Sequence, residues 1–468
     1  MKPQPALFAG AGIVAVIAAT LVAANGWAAS IALANPAPDQ AISDWARSAA
    51  QEIQSLKLAA DDADLEPIRR LVGRAHVVSF GEGLHGAAEP LEFRNRQFRF
   101  LVEKMGFTAI AIESGIVEGF LVNRYVLTGA GNLDDVMSRG FGFGFGQLPQ
   151  QRELVRWMRE YNADRHHAHK VSFYGFDVSG SPEHAQQPLF DALAYLTTRD
   201  PASASALRAR IVDLEPMLNL DRSSDRPGQY TAIDQAQRDR LTGTITDLIA
   251  ALDLLEPVPP ASSHDAAFVV AHQTAIAARQ ADNYLRRLPM GWTLKKDGPT
   301  GLAGTVASAD RTKADNIQWI RDQLGPDGRL LLFAHRDHLA PIRSIIRLPP
   351  PIGMWELPPM VGMYLRPRYG DDLITIGHFF ARDESHCGVP PAVAGAASFE
   401  GQLAAVTNEY YLLNLRAAPN TVKEQLRQPR ELYGVPPLNS ASVGDGYDAI
   451  IFTRSVSPAV PCSTGRGR

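Results

Sequence analysis

Four short runs rich in apolar residues stand out along the chain, at 75–80, 108–112, 171–176 and 330–334. Their apolar character predicts strands, which we expect to pair in parallel in an open sheet. Parallel strands share the edge at which their carboxyl ends lie, and ligands bind in the crevice beyond that edge. We therefore predict that the acidic and histidine residues following the four runs converge in an active site; they are Glu82, His85, Glu113, Asp177, His335 and His338.

The segments between these strands predict helices. The stretch 91–105 has helical spacing and ends at Gly106, a favourable residue just past a helix, so it predicts the crossover between the first two parallel strands. From 181 to 320 the β-branched runs disappear and the apolar spacing becomes helical, as in 241–252. We predict a helical insertion here, between the third and fourth strands, with loops near 223–225 and 257–260. The insertion could cover the strand-end crevice or pack away from it, and its position between Asp177 and His335 favours the cover.

The predicted fold class is α/β, with a mostly parallel sheet core, helices on both faces of the sheet and the helical insertion between the third and fourth core strands. The first part of this core is predicted at 46–180, the insertion at 181–320 and the second part of the core at 321–454. A helix is predicted at 45–58. The tail at 455–468 is rich in Ser, Pro and Gly, and we expect it to be disordered.

The N-terminus has the pattern of a secretory signal peptide at 1–34. Lys2 precedes an apolar stretch at 6–24, and a small-x-small cleavage site ends at Ala34, with a second possible site at 26–28. An uncleaved membrane anchor is the alternative, because the apolar stretch is nearly long enough to span a bilayer. A Pro- and Ala-rich linker is predicted at 35–45. We expect an exported protein, periplasmic or secreted, that touches a membrane only if this segment stays attached.

Composition and charge narrow the classes of function. The 468 residues are 45% hydrophobic and 21% charged, which is ordinary globular composition with enough apolar material for a core. The formal net charge of -4 provides no basic surface for nucleic acid. The two cysteines, Cys387 and Cys462, could form a disulfide in an exported protein or remain thiols. They form no Cys-x-x-Cys motif, so no structural zinc site is predicted.

His85 and Glu82 have the residue types of an acid–base pair. A histidine near its neutral form can accept a proton from water, and a neighbouring carboxylate would orient the ring and stabilise the imidazolium. The sequence contains no Gly-x-Ser-x-Gly motif, so attack by activated water is simpler than a covalent intermediate. A loop histidine with a purely structural role is the alternative for His85 alone.

His335 and His338 could polarise a carbonyl, bind an oxyanion or protonate a leaving oxygen. They could also be two exposed histidines at the start of a helix. Arg94 could fix a carboxylate of the site or contact substrate, or belong to a solvated helix face with Arg96 and Arg99. We assign substrate contacts to Arg94 and Asp177.

Metal binding is the main rival hypothesis for the same residues. The three histidines with Glu82, Glu113 and Asp177 could hold zinc or two divalent ions. No His-Glu-x-x-His or similarly dense ligand spacing occurs. The histidines at 166–169 lie in a polar segment before a strand and are expected to be exposed. We predict no metal and no cofactor.

The chain resembles the erythromycin esterase family in a collinear set of residues over about 45–455. They are Gly81-Glu82-x-x-His85-Gly86-x-x-Glu89, Arg94, Gly106-Phe107, Glu113, Asn123-Arg124-Tyr125-Val126, Gly129, Tyr174-Gly175-Phe176-Asp177, Ala334-His335-x-x-His338 and Gly362-x-Tyr364-Leu365. The resemblance implies an α/β core with helical additions and hydrolysis of a macrolide lactone by water, without a metal.

Carried over by position, the resemblance implies that His85 is the general base. Glu82, Glu113, His335, His338 and Arg94 would then form the surrounding site. Two departures concern the residues around this set: Arg336 stands where the family often has Asn, and the segment 311–316 lacks a Met that the family has there. Both could change substrate contacts without touching the base.

These observations predict an exported hydrolase that cleaves a small-molecule ester or lactone by histidine-activated water. Two alternatives stay open: a hydrolase that uses a divalent metal held by the same residues, and a periplasmic binding protein without turnover. Binding alone needs no such acid–base set, which favours an enzyme.

Overall fold

The computed structural model describes residues 40–179, 187–215, 233–256, 266–291, 299–348, 353–396, 398–433 and 439–462. The predicted signal peptide, the first part of the predicted linker and the predicted loops near 223–225 and 257–260 lie outside these residues. Among the helices within them, none combines the length and apolar character needed to cross a bilayer.

The strands, numbered in chain order, have the following bounds: β1 Gln51–Glu52, β2 Val77–Glu82, β3 Ala109–Gly115, β4 Ser172–Asp177, β5 Leu330–His335, β6 Ile345–Leu348, β7 Gly353–Glu356, β8 Leu373–Asp383, β9 Ala392–Val393, β10 Tyr410–Asn414, β11 Arg430–Leu432, β12 Asn439–Ala441 and β13 Ala449–Val456. The four predicted core strands are therefore β2 to β5.

The helices, numbered in the same way, are α1 Gln40–Ala49, α2 Glu66–Val72, α3 Ala88–Met105, α4 Ile116–Thr128, α5 Leu133–Arg139, α6 Pro149–Ala163, α7 Gln187–Arg199, α8 Pro201–Ala209, α9 Gln235–Asp253, α10 Ala266–Gly291, α11 Pro299–Leu324, α12 Arg336–Leu339, α13 Val361–Tyr369, α14 Phe399–Leu403, α15 Asn420–Leu426 and α16 Val443–Gly446. Short 3-10 turns lie at Ala63–Leu65, Phe145–Gln147, Gly370–Asp372 and Leu415–Ala417.

The main sheet has the strand order β1-β10-β13-β8-β2-β5-β3-β4, with β9 paired to β8. Strands β13, β8, β2, β5, β3 and β4 run parallel, while β10 and β1 complete one edge in the antiparallel sense. The mostly parallel α/β core is thus confirmed. Its register aligns the predicted site residues, because Glu82 at the end of β2 is the partner of His335 at the end of β5.

Alternate residues of the core strands face two apolar layers, which places helices on both faces of the sheet. On one face Phe80, Ile112 and Phe333 pack with helices α3 and α6. On the other face Ala111 and Leu332 pack with residues of α11 and α13, among them Ile317, Ile320 and Leu365. A fully buried Ile, Leu or Phe side chain contributes about 1.5–3 kcal/mol, so these two layers fix the sheet between its helices.

Helix α3 is the predicted crossover between β2 and β3. It begins at Ala88, three residues before the predicted start, and ends where predicted, at Met105. Gly106 follows with a φ of 71°, and its N–H caps the carbonyls of Leu101 and Val102. A residue in this left-handed conformation is favourable when it has no Cβ, which explains why the helix ends there.

Helices α7 to α11 lie between β4 and β5, so the helical insertion is present where the sequence predicts it. It has an apolar core of its own that includes Leu196, Leu248 and Ala275. Its last helix, α11, leaves that core and packs on the sheet through Ile317 and Ile320. The insertion is therefore joined to the strands that carry the predicted site.

The N-terminal elements differ from the prediction of a linker to residue 45 and a helix at 45–58. Helix α1 spans Gln40–Ala49, because Ile42, Trp45 and Ala46 form one apolar stripe that packs with the cluster around Tyr411. Residues Gln51–Glu52 then pair with β10 as strand β1. The helix ends because the residues after it pair with a distant strand. The local spacing of apolar residues contains no sign of that pairing.

The chain also stays structured past residue 455, where we expected a disordered tail. Strand β13 continues to Val456, and the backbone N–H of Ser457 donates to Glu89. Cys462 is disulfide-bonded to Cys387, 75 residues earlier in the chain. The structure therefore contains the disulfide that the sequence analysis left open, and not two thiols. In the chain-entropy model a loop of this size stabilises the fold by about 4 kcal/mol.

Candidate active site

The turn after β2 brings Glu82 and His85 together. Nδ1 of His85 lies 2.7 Å from Oε1 of Glu82, and both side chains are largely buried. Gly83 permits this turn, because a Cβ there would lie 2.8 Å from the backbone oxygen of His378. With Nδ1 engaged by the carboxylate, Nε2 is the ring nitrogen that remains for a reacting molecule.

Electrostatics favour protonation of His85 relative to an ordinary histidine. Burial opposes the charged ring, but the hydrogen bond and charge of Glu82, together with the charge of Glu113, outweigh it and raise the pKa of His85. The ring centroid of His335 lies 5.2 Å from that of His85, and the ring of Phe145 lies 5.6 Å away. The imidazolium form of His85 is thus stabilised, although the ring lies against an aromatic wall.

Glu113 uses both of its carboxylate oxygens at the end of β3. Oε1 accepts a hydrogen bond from Nζ of Lys313 at 2.6 Å, and Oε2 accepts one from the backbone N–H of His335 at 2.8 Å. Burial alone would raise the pKa of Glu113, but the charges of Lys313, His338 and His85 hold it well below its usual range. Glu113 is therefore a permanent anion that links β3, β5 and α11.

Helix α11 contributes two residues that sequence reasoning missed, Lys313 and Asp310. The Nζ atom of Lys313 lies 3.3 Å from Nε2 of His338 and 3.5 Å from Oδ2 of Asp177. Asp310 lies 2.7 Å from Nδ1 of His338 and also accepts the backbone N–H of Val361 at 3.0 Å. The last helix of the insertion thus reaches the site, while a cover over the strand-end crevice stays a prediction.

A sequence signal for these two residues existed in the pattern of α11. Its buried apolar stripe includes Val306, Ala309, Ile317 and Ile320, and the buried Asp310 and Lys313 lie within that stripe. Charged residues are seldom buried unless they are paired. An acid and a lysine on the buried face of a helix therefore indicate an internal ion network.

Charges in the network favour a protonated Lys313. Burial lowers the pKa of Lys313, but the carboxylates of Asp177, Glu113 and Asp310 outweigh burial and raise it. For Asp177, burial dominates and raises the pKa in spite of Lys313. For His338, burial is outweighed by Asp310, and the pKa is raised. The ammonium is the fixed positive charge of the cluster.

His335 is held in the neutral form. Burial, reinforced by the positive charges of His85 and Arg336, lowers the pKa of His335 to about 3, although Asp337 opposes the shift. Its Nδ1 accepts the backbone N–H of Asp337 at 3.4 Å. In a neutral ring the proton then resides on Nε2, so His335 can donate a hydrogen bond to an oxygen next to His85.

Arg94 and Asp177, the two predicted substrate contacts, both have protein partners. Arg94 is fully buried, which excludes the solvated-face alternative; its guanidinium donates to Oδ1 of Asn95 and lies 4.7 Å from the ring centroid of Phe333. Burial lowers the pKa of Arg94 to about 10, against the charges of Glu82 and Glu153. Substrate contact by Arg94 or Asp177 stays a prediction.

A Phe- and Gly-rich loop between α5 and α6 forms part of the wall and was not predicted. Phe143 has a φ of 56°, a conformation that a bulky residue seldom adopts. The loop is tied to the site because the N–H of Gly142 donates to Oγ of Ser114 at 2.8 Å. It directs Phe145 against the His85 ring. Unusual backbone of this kind is concentrated at functional sites.

The metal hypothesis requires several of the predicted ligand side chains to point at one ion. Among the residues that the structure describes, no group of three or more His, Cys, Asp or Glu side chains is arranged to hold a metal ion. The Lys313 ammonium lies between Glu113, Asp177 and His338, three of the predicted ligands. His166 and His169 are exposed, as expected, whereas His167 is half-buried because its ring stacks on that of Tyr161.

Comparison with protein families gives one match that covers most of the chain. The erythromycin esterase family model matches residues 102–456. Erythromycin esterase type II of Escherichia coli is 23% identical over 280 residues, which are 59% of this chain and 63% of that protein. A Bacillus subtilis protein is 21% identical over 289 residues, 60% of each chain. The chain thus spans less than two thirds of the length of these relatives.

Solved structures show the same fold at low sequence identity. A Bacillus cereus protein superposes with a TM-score of 0.73 at 21% identity, covering 90% of this chain and 99% of that one. A succinoglycan biosynthesis protein gives 0.71 at 20% identity, with coverages of 90% and 97%. A mutant of the erythromycin esterase EreC in its open conformation gives 0.61 at 19%, with coverages of 86% and 96%.

The buried ion network predicts a large stability effect at Lys313. Replacing it by Met removes the ammonium that lies 2.6 Å from the buried Glu113 carboxylate, and breaking a buried pair in this way is destabilising by about 3–5 kcal/mol. Urea denaturation of Lys313→Met measures the change in the free energy of unfolding. Lys104→Met, at an exposed position, is the matched control and should stay within about 0.5 kcal/mol. Equal stability of the two variants would contradict the network.

Proposed function

Because the chain belongs to the erythromycin esterase family, we propose that it is an exported hydrolase that cleaves an ester or macrolide lactone with water activated by His85. Family membership supports hydrolase activity of the ester-cleaving kind. The single observation that carries the finer proposal is the Glu82–His85 pair in the crevice at the ends of parallel strands, where such folds bind their ligands.

In this proposal Nε2 of His85 removes a proton from water while the water oxygen attacks the carbonyl carbon. Glu82 keeps the ring in the required tautomer and, with Glu113, stabilises the imidazolium that forms. The tetrahedral intermediate then expels the alcohol oxygen, which takes the proton back from His85. The products are a carboxylic acid and an alcohol; from a lactone, they are the two ends of one opened chain.

His335 is the residue best placed to assist the carbonyl. Its ring lies 5.2 Å from that of His85, it is neutral, and its Nδ1 is occupied by a backbone N–H. The proton on Nε2 can therefore be donated to the oxygen on which negative charge develops. The bonds of Glu113 to the Lys313 ammonium and to the backbone N–H of His335 hold this strand end in place.

Direct attack by water needs no protein nucleophile. The sequence has no Gly-x-Ser-x-Gly motif, and both cysteines are held in a disulfide. A covalent route through a carboxylate would have to use an acid that is already paired, since Glu82 holds His85 and Glu113 holds Lys313. In the water mechanism Glu82 stays bonded to His85 and Glu113 stays bonded to Lys313.

A macrolide lactone is the first substrate to test, because erythromycin esterase type II of Escherichia coli is a relative. Wild-type protein incubated with a fourteen-membered macrolide should add one water to the substrate, measured by mass spectrometry. His85→Ala should be slower by on the order of 10²–10⁴-fold, the usual contribution of general base catalysis. His386→Ala, at an exposed histidine paired with Asp383, is the matched control and should retain activity.

An unchanged rate in a folded His85→Ala protein would contradict the assignment of the base. Loss of activity with a chelator, restored by added zinc, would instead favour the metal-dependent hydrolase. Binding of macrolides without any product would favour a binding protein. No added water with either protein would remove macrolides as the substrate and leave other esters to test.

Export is supported by two features, the N-terminal sequence pattern and the Cys387–Cys462 disulfide, since disulfides persist mainly in oxidising compartments. We expect the full chain, expressed in a Gram-negative host, to be recovered from the periplasm or medium with Asn35 as its first residue, as determined by N-terminal sequencing. Recovery from the membrane with residues 1–34 attached would favour the uncleaved anchor.

A further inference from the structure

Residues 457–462, which we call the C-terminal strap, run along the turn that follows the proposed base. The backbone N–H of Ala88 donates to the carbonyl of Ser457 at 2.8 Å. In return, the N–H of Ala459 donates to the carbonyl of Gly86 at 2.8 Å. These bonds belong to an antiparallel bridge that pairs the strap with the turn. The backbone that follows the base is therefore fixed by a segment from the other end of the chain.

Glu89, in the first turn of helix α3, binds the strap with both carboxylate oxygens. Its Oε2 accepts the backbone N–H of Ser457 at 2.8 Å, and its Oε1 accepts the hydroxyl of Ser457 at 2.6 Å. Burial raises the pKa of Glu89, while the two bonds from Ser457 oppose that shift. The bonds thus favour the charged carboxylate, which is a stronger acceptor than the neutral acid.

The strap is tied at both ends. It continues strand β13, whose last residue, Val456, packs with Leu84 in one buried apolar cluster. At its other end Cys462 is bonded to Cys387, in the loop after strand β8. Both cysteines are exposed, so a reductant in solution can reach the bond.

These contacts bear on the geometry of the base. His85 lies between Glu82, which the ladder of β2 with β5 holds in the sheet, and the turn that the strap holds. The 2.7 Å contact between Nδ1 of His85 and Oε1 of Glu82 therefore depends on both supports. A catalytic group displaced by about 1 Å can lose about 100-fold in rate.

We infer that the disulfide-closed strap positions His85 for the proposed reaction, and that Glu89 is the positioning residue that fastens the strap to the turn. The inference rests on the proposed function, since it concerns the step in which His85 takes a proton from water. A strap released from Glu89 or from Cys387 no longer restrains the turn, and the ring of His85 spends less time against Glu82. The rate of the reaction then falls, while the groups that bind the substrate are unchanged.

The matched test uses the mature full chain with a fourteen-membered macrolide. Glu89→Ala removes both bonds to the strap, and Cys387→Ser/Cys462→Ser removes the disulfide. Glu92→Ala is the control, because Glu92 lies one turn further along α3 and pairs with Lys57 instead of the strap.

Glu89→Ala and the double-serine variant should each lower kcat by about 10- to 100-fold with KM near the wild-type value, since the orientation of the base changes and the binding surface does not. The variant that combines them should be no slower than the slower of the two, because both act through one segment. Glu92→Ala should keep the wild-type kcat. Fold-changes that multiply in the combined variant, or an unchanged kcat in Glu89→Ala, would overturn the inference.

Reduction of the wild type gives the same comparison without a substitution. A dithiol such as dithiothreitol is oxidised to its own cyclic disulfide as Cys387 and Cys462 become two thiols. The wild type should slow by the factor seen in the double-serine variant, and that variant should not respond. A wild type that keeps its rate after complete reduction would contradict the role of the disulfide.

Amide hydrogen exchange without substrate separates this inference from the proposed function. Loss of the disulfide should speed exchange in 84–91, which includes the N–H of Ala88, and leave 330–338 unchanged, because the opening is local to the turn. If the wild type hydrolyses no macrolide, the proposed reaction fails for this substrate and exchange alone decides. Unchanged exchange in 84–91, or equally faster exchange in both segments, overturns the inference. Glu89→Ala, which keeps the disulfide, provides both measurements if the double-serine variant does not fold.

Discussion

Glu113 accepts a hydrogen bond on each carboxylate oxygen, from the Lys313 ammonium and from the backbone N–H of His335, and the rest of the site depends on these two bonds. An unpaired buried carboxylate is strongly unfavourable, so the anion requires the lysine. The lysine arrives on α11, the last helix of the insertion. The insertion is thus coupled to the strand ends by charge as well as by the apolar contacts of Ile317 and Ile320.

This constraint divides the site into two groups with different tasks. One group is the Glu82–His85 pair with the neutral His335, beside the aromatic ring of Phe145. The other is the ion network of Lys313, His338 and Asp310, which has no direct contact with His85 in the bonds described. Glu113 joins them, because its charge acts on His85 while its oxygens hold His335 and Lys313. In the proposed mechanism, proton transfer and charge compensation therefore belong to separate side chains.

The ends of the core strands could be predicted from the sequence, because each run of apolar residues is also a strand that is buried in the folded protein. The apolar runs of β2 to β5 are buried, and Glu82, Glu113 and His335 follow directly from where those strands end. Helix α3 was predictable to its last residue, since Gly106 acts through local backbone conformation. In each case the information lies within a few residues of the feature.

The features that were missed depend on distant contacts. The sequence around Lys313 does not indicate that α11 places this residue against Glu113, 200 residues away in the chain. Strand β1 forms because β10 offers a partner, and the order beyond Ser455 depends on Glu89 and on Cys387. The conformation of Phe143 is likewise set by the anchoring of its loop to Ser114. Pairing partners of this kind become visible only in the folded chain.

The central claim, a neutral His85 that acts as the base under the influence of Glu82, is tested most directly by the pH dependence of kcat/KM. Because the pKa of His85 is raised above its ordinary value of about 6.5, activity should rise with pH through a midpoint above that value. In Glu82→Gln the hydrogen-bonded carboxylate charge is lost, so the pKa of His85 falls and the midpoint should move to lower pH, with a lower plateau. The same midpoint in both proteins, or activity that falls as His85 loses its proton, would contradict the account.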